Sequence, residues 1–296
     1  MLFKRAYLEI GNICNLRCAF CSPAVRPPRQ MTLSQFETAA RQLRPFTDYL
    51  YLHVKGEPLC HPQLKEILEC CRQLGFQVNI TTNATLLGQK GDLLLNSPAV
   101  RQLNFSLHSF SAHQGINQAE YLNTALDFAR KASLEHGKYL VLRFWNLDEQ
   151  REAARGTRQI LERISAAFPG HDDLAAQMAT HRSVAMEKGI FVSFEEEFVW
   201  PSLGAPFVGT EGFCHGLRQM IGVLADGTVV PCCLDADGQA PLGNLFEEPL
   251  ADILARPPFT EARADLYNRK LRLPLCQHCS YRSRFDRPAR LSANTP

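Results

Sequence analysis

The sequence predicts an α/β protein: a parallel sheet of repeated β-then-α units, followed by a small cysteine-bearing appendage. Three observations carry this. Short β-branched or aromatic runs alternate with helical periodicity up to about residue 200. The alternation stops at WPSLGAPFVGTEG (200–212), which is rich in Gly and Pro and reads as a linker. Beyond it come a hairpin signal and clustered cysteines.

In chain order, the strands are AYLEIGN (6–12), YLYLHVK (49–55), QVNITTN (77–83), QLNFSLH (102–108), YLVLRFW (139–145) and IFVSFEE (190–196). The first helix, 32–43, opens with Thr32 and Gln35 at capping-box spacing and sets Leu33, Phe36, Ala40 and Leu43 on one face. Residues 61–74, 118–134 and 148–168 read as further helices. Six such units in succession imply right-handed crossovers and a parallel sheet. Periodicity leaves a doubly wound sheet, a full barrel and a partial barrel open. MIGVLADGTVVPCC (220–233) reads as two short strands around Asp226-Gly227, with a helix at about 248–268 and then LCQHCSYRSRF. The expected domains are therefore 1–200, 205–285 and a tail, 286–296. RSRFDRPAR (282–290), with four arginines, reads as a solvated basic terminus.

Composition narrows the function. A net charge of +2 over 296 residues argues against a dedicated nucleic-acid binder. No signal-peptide pattern and no apolar run of spanning length is present, so a cytoplasmic protein is expected, where structural disulfides are rare. Eleven cysteines, an odd number, then point to metal ligands and buried thiols.

Cys14, Cys18 and Cys21 are spaced C-x3-C-x2-C on the loop leaving the first strand, at the end where parallel β/α folds build active sites. Three thiolates can hold three irons of a [4Fe–4S] cube and leave the fourth open. Zinc would need a fourth ligand from elsewhere.

CNLRCAFC (14–21) resembles the CxxxCxΦC motif of the radical S-adenosylmethionine (SAM) superfamily, with Phe20 as the aromatic. The resemblance implies a partial (β/α)6 TIM-like barrel over 1–200 and a [4Fe–4S] cluster on Cys14, Cys18 and Cys21. It also implies reductive cleavage of SAM to a 5′-deoxyadenosyl radical that abstracts hydrogen from a substrate. Lys55-Gly56-Glu57-Pro58 stands where the family often has GGEP, whose backbone contacts SAM, so Gly56 and Glu57 are implied cofactor residues. Thr81-Thr82-Asn83 stands where relatives show TNG, with Ala84 in place of Gly. Ser106 matches the Ser of an SLD-type stretch, and His108 stands where an acid often is. Arg143 matches an Arg that pairs with the SAM carboxylate, although a structural ion pair is the plainer reading.

A second set, Cys214, Cys232, Cys276 and Cys279, resembles the SPASM/twitch appendages of the same superfamily. A full SPASM domain continues with further cysteines; here Phe285 stands at the next position and no Cys follows Cys279. The implied form is the shorter twitch type, with one auxiliary [4Fe–4S] cluster. Taken without the resemblance, four such thiols would also make a zinc ribbon. Cys233 competes with Cys232, and Gly227-x4-Cys232 spacing favours the latter. Cys70 and Cys71 read as core thiols and Cys60 as structural.

On the substrate side, Glu195, Glu196 and Glu197 end the sixth strand; Glu195 and Glu197 are candidate catalytic groups, with exposed strand-end charges as the plainer alternative. His53 and His108 are more often structural, and Asp235 and Asp237 read as turn residues. The expected protein is a radical SAM oxidoreductase or maturase with a small-molecule or peptide substrate. Its partners would be SAM and an electron donor such as flavodoxin or ferredoxin, with no membrane. The first strand begins within ten residues of the start, so no separate N-terminal peptide-recognition domain is expected. The alternative is a non-catalytic metal protein, either a zinc-stabilised scaffold or an iron–sulfur electron carrier.

Overall fold

The computed structural model describes residues 2–22, 25–112, 115, 117–147, 155–171, 173–286 and 291–292. Through the first half, the elements are β1 (Arg5–Leu8), α1 (Leu33–Leu43), β2 (Tyr49–Tyr51), α2 (Leu64–Gln73), β3 (Gln77–Thr82), α3 (Leu87–Asn96), β4 (Val100–Ser106), α4 (Gln118–Leu134) and β5 (Tyr139–Leu147). There follow α5 (Arg155–Ala167), α6 (Leu174–Thr180), β6 (His181–Glu187), β7 (Ile190–Glu196), β8 (Met220–Val223), β9 (Thr228–Val230) and β10 (Gly243–Asn244). The chain closes with α7 (Leu250–Ala255), α8 (Pro257–Tyr267), α9 (Pro274–Gln277) and β11 (Leu291–Ser292). Contacts divide it into one unit of Met1–Asn15, Ser22–Asn79 and Phe198–Pro288, and another of Leu16–Cys21, Ile80–Glu197 and Ala289–Pro296.

In the first unit the strand order is β10-β9-β8-β1-β2-β3, parallel from β8 to β3 and antiparallel at β9 and β10. Alternation decides the faces. Ala6, Leu8, Leu50 and Leu52 are fully buried, as are Phe36 and Leu43 of α1 and Leu64 and Ile67 of α2. The capping box at Thr32 and Gln35 forms as its spacing predicts. The predicted appendage segment joins this unit: Arg5 to Leu8 of β1 register with Met220 to Val223 of β8. The Gly- and Pro-rich stretch is strapped down as well, since the Leu271 amide donates to Thr210 O at 2.7 Å and the Val208 amide to Gln277 O at 2.7 Å.

The second unit runs from the end of β3 through β4, β5 and β7, with β6 antiparallel to β7. Several elements, α6 among them, differ from expectation here and in the appendage, and three of them show why. α3 escapes a periodicity reading because it contains Gly88 and Gly91; a Cβ at Gly91 would lie 2.8 Å from the Phe128 ring of α4, so the glycine permits close helix approach. β6 is an added strand, joined to β7 by Lys188-Gly189. The helix predicted at about 248–268 is two helices, because Pro257 and Pro258 cannot continue α7 and instead start α8. The helix predicted at 148–168 is found as α5, its first residues, 148–154, lying outside the described ones.

One buried carboxylate joins four segments of the first unit. Glu9, just past β1, has no exposed surface. Its oxygens lie 2.7 Å from Arg26 Nη2, accept from the Lys55 amide at 3.0 Å and from the Ala225 amide at 3.0 Å. Arg26 Nε donates on to Ala236 O at 2.8 Å. Removing one partner of such a pair strands the other, so Glu9→Gln is expected to cost about 3–5 kcal/mol in urea unfolding. Glu37→Gln breaks an exposed ion pair with Arg41 on α1 and is expected to cost about 0.5 kcal/mol or less in the same assay.

Candidate functional site

The loop bearing Cys14, Cys18 and Cys21 is pinned before and after its cysteines. Before them, the Met31 amide donates to Ile10 O at 2.9 Å and the Asn12 amide to Arg29 O at 3.0 Å. This antiparallel strap draws residues 10–12 off the β1 ladder, which is why β1 is shorter than predicted. Gly56, at φ +79°, lies so close that a Cβ there would overlap Gly11 O, and the Glu57 amide donates to Ile13 O at 2.9 Å. Glu57 spends its carboxylate on the Leu59 amide at 3.0 Å, capping the 3-10 turn Pro58–Cys60. After the cysteines, Lys55 Nζ donates to Ser22 O and Ser22 Oγ, both at 2.8 Å. The Cys21 amide donates to Cys18 O at 3.1 Å. Cys14 and Cys21 are exposed and Cys18 is half-buried. Three accessible thiols on a loop with anchored ends suit a cube that keeps one iron for another ligand.

The second unit has one polar and one apolar sheet face. Ile80, Leu103, Phe105, Leu142, Phe144, Val192 and Phe194 are fully buried on one side. The alternate positions carry Thr81, Asn104, Ser106, Arg143, Trp145, Ser193 and Glu195. Parallel strands are ordinarily apolar on both faces, so a polar face marks a place for a ligand. Thr81 Oγ1 accepts from Asn104 Nδ2 at 3.2 Å and from Arg143 Nη1 at 3.1 Å. The Arg143 guanidinium lies 3.8 Å from the Trp145 ring centroid, and Ser106 registers beside it.

Other predicted residues have local roles. Asn83 Oδ1 accepts from the Thr85 amide at 3.0 Å and Thr85 Oγ1 at 2.6 Å, while Tyr121 donates to its carbonyl at 2.8 Å. Ala84 takes φ +63°, the left-handed conformation that suits Gly. Glu195 is paired with Arg182 at 2.9 Å, and the Glu197 amide donates to Leu147 O at 2.8 Å, leaving its side chain exposed. His108 lies in the 3-10 turn after β4, its Nδ1–H on Arg143 O at 3.0 Å and its ring 4.6 Å from Phe20. Burial pushes its pKa down to about 4.

Cys214, Cys232, Cys276 and Cys279 converge within the first unit, from three stretches of the chain. A Cβ at Gly216 would lie 3.6 Å from Cys214 Sγ and 3.7 Å from Cys232 Cβ, and the Gly216 amide donates to Cys214 Sγ at 3.4 Å. Burial pushes all four thiols up. Negative charge on neighbouring cysteines pushes Cys232, Cys276 and Cys279 further. A cationic iron core offsets both effects, so the donor set fits a cluster. Cys233 instead packs against the apolar group of Tyr7, Val54, Leu224, Val230 and Ala236. Phe285, where a longer domain has its next Cys, stacks 4.7 Å from His215 and 6.0 Å from Phe213. Cys71 is fully buried in the α2 core and Cys70 is half-buried. Among the described residues, no three His, Cys, Asp or Glu side chains close on a single metal ion.

Two family models match the chain. A family model for the radical SAM superfamily matches residues 8–155, half of the chain. The chain belongs to the radical SAM superfamily. A second model, an iron–sulfur cluster-binding domain called SPASM, matches residues 214–280. Similar curated proteins include GTP 3′,8-cyclase of Limosilactobacillus fermentum, 31% identical over 148 residues, covering 46% of this chain and 43% of that protein. The chain matches under half the length of its curated relatives. Among solved structures, SuiB of Streptococcus suis bound to SAM has a TM-score of 0.59 at 16% identity over 99% of this chain and 77% of that one. BtrN in complex with AdoMet and 2-DOIA has a TM-score of 0.52 at 16% identity over 95% and 94%. These likenesses show the fold, the partial barrel expected from the motif. The cofactors of this radical SAM protein are a [4Fe–4S] cluster with SAM, and auxiliary iron–sulfur clusters in its SPASM region. No described helix is long and apolar enough to cross a membrane.

The Lys55–Ser22 tie and the Arg182–Glu195 pair were not anticipated; the strand alternation of Thr81, Asn104, Arg143 and Ser193 held the signal for the polar face. His108 gives a pH test. Its folded pKa lies below that of an ordinary histidine, so its contribution to stability is intact above about pH 6.5 and falls as pH drops toward 4. His108→Asn is expected to lose less stability than the unsubstituted protein between pH 7 and 4.5, read by urea unfolding.

Proposed function

We propose that this radical SAM protein is an oxidoreductase or maturase that abstracts hydrogen from a polar substrate, a small molecule or a peptide, with one auxiliary [4Fe–4S] cluster assisting. The observation that carries this reading is the contrast between its two thiol sets. Three accessible thiols sit on a loop after β1, and four half-buried ones converge beyond residue 213. When bound and reduced, the three-cysteine cluster supplies the electron that cleaves SAM to the 5′-deoxyadenosyl radical.

The chain's own residues do the positioning. Cys14, Cys18 and Cys21 hold the first cluster, and Gly56 and Glu57 present backbone groups beside residues 11–13 for the SAM amine. Arg143 pairs with the SAM carboxylate; its contacts with Thr81 and Trp145 fix the guanidinium beforehand, which lowers the ordering cost. Ser106, in register with it, and Asn83 are the other candidate SAM contacts. Glu195, aligned by Arg182, is the candidate proton acceptor, and Glu197 is the outer one. Cys214, Cys232, Cys276 and Cys279 hold the auxiliary cluster. Cys232 is favoured over Cys233 because charge from Cys214, Cys276 and Cys279 acts on its thiol, while Cys233 packs in an apolar cluster. A flavodoxin or ferredoxin in the cytoplasm would supply the reducing electron.

Anaerobic reconstitution followed by reduction with SAM tests the proposal. The protein is expected to bind roughly eight irons, about four per cube, and to release 5′-deoxyadenosine. Full iron loading without 5′-deoxyadenosine would sink the enzyme reading. Cys14→Ala/Cys18→Ala/Cys21→Ala should abolish the product, and Cys276→Ala/Cys279→Ala should leave about four irons. Arg143→Met is expected to weaken SAM binding about tenfold to a hundredfold, the worth of a charge-assisted bond, measured by equilibrium dialysis.

A further inference from the structure

Arg282 belongs to a run of arginines that reads as a solvated tail, yet it is only 7% exposed. It lies in the 3-10 turn Ser280–Phe285, three residues after Cys279, and its amide and that of Tyr281 donate to the Cys279 sulfur. Its guanidinium passes over the backbone of residues 209–212. A Cβ at Gly212, φ +147°, would overlap Arg282 Nη1, and one at Gly209 would come within 3.3 Å of Nη2. Gly212 therefore keeps the guanidinium's space clear, two residues before Cys214. The carboxylate paired with it, Asp286, is 3.8 Å from Nη1 and 44% exposed, so it neutralises the charge weakly. Arg282 Nε is buried and has no hydrogen-bond acceptor among the described residues. An unsatisfied guanidinium N–H in such a place costs free energy unless something absent from the protein accepts from it. The positive charge also reaches Cys214, Cys276 and Cys279. Arg218 adds to it at Cys214, while Asp235 opposes it at Cys276.

We propose that Arg282 sets the reduction potential of the auxiliary cluster, as a buried cation and N–H donor beside its cysteine sulfurs. This rests on the assignment of the four cysteines to that cluster. Adding one electron makes a cubane more negative, and a buried cation stabilises the reduced form with little screening. Arg282 thus makes the cluster the better electron acceptor. It is a positioning and tuning residue.

The test is a mediated redox titration of the fully reconstituted protein, followed by electron paramagnetic resonance. The auxiliary signal is identified in the Cys14→Ala/Cys18→Ala/Cys21→Ala variant, which retains only that cluster. Arg282→Gln is expected to shift the reduced-to-oxidised ratio at fixed potential about tenfold toward oxidised, about 59 mV for one electron. Arg282→Lys, which keeps the charge, should shift it less than about threefold, the equivalent of under half that potential change. Gly212→Ala, which crowds the guanidinium while leaving it charged, should move the ratio in the same direction as Arg282→Gln. The potential of the SAM-binding cluster should stay put in all three. The proposal is overturned if Arg282→Gln and Gly212→Ala hold full iron and leave the ratio unchanged. It is also overturned if Lys and Gln shift it equally. Should Arg282→Gln lose its second cube, the Lys and Gly212→Ala ratios decide. Failure of the unsubstituted protein to hold a second cube would instead overturn the cysteine assignment beneath the proposal.

Discussion

A single carboxylate away from water governs the first unit. Glu9 accepts from Arg26, from the Lys55 amide and from the Ala225 amide, and none of these bonds is replaceable by solvent at a site with no exposure. A buried charge survives only when paired and hydrogen-bonded, so the requirement works in both directions. Four stretches of chain must be in place for the Glu9 carboxylate to be satisfied, and Glu9 holds those four stretches in register. One precedes the cysteine loop, one follows it, one is the Lys-Gly-Glu-Pro turn and one is the β8–β9 hairpin. The strap beside the Cys14 loop and the hairpin that leads to Cys232 are thus parts of one hydrogen-bonded arrangement.

The two thiol sets are placed by opposite means. Cys14, Cys18 and Cys21 stay accessible while their loop is held by backbone bonds at residues 10–13 and by Lys55 on Ser22. Lys55 stands where the family often has glycine, and the change adds a tether and leaves the turn intact, because the close approach belongs to Gly56. The four later cysteines are drawn inward from distant segments, where burial disfavours free thiolate. Phe285, at the position where a longer domain has its next Cys, meets His215 and Phe213 edge-on.

What could be read in the sequence was what is local along it. The Thr32–Gln35 box and both cysteine spacings act over a few residues, and the β-then-α alternation is a sum of local periods. The choice between Cys232 and Cys233 was a question of which face of the chain turns toward the other three thiols, and adjacent residues point oppositely. Burial of Glu9 and Arg282 was out of reach for a different reason. The Glu9–Ala225 bond spans 216 positions, and the pocket for Arg282 is made by the missing side chain of Gly212. In a run of arginines, nothing local distinguishes the one that folds inward. α3 was hidden by its glycines, which serve packing against Phe128 and weaken the helical signature.

The pairing of β1 with β8 has a consequence for how the protein is made. The strand that flanks β1 and the amide that completes Glu9 lie more than 200 residues after β1. Contacts so distant in sequence form late, after their loop-closure entropy is met. The loop bearing Cys14, Cys18 and Cys21 is therefore made well before the hairpin that completes its platform. Ordering of that loop waits on arrival of the hairpin.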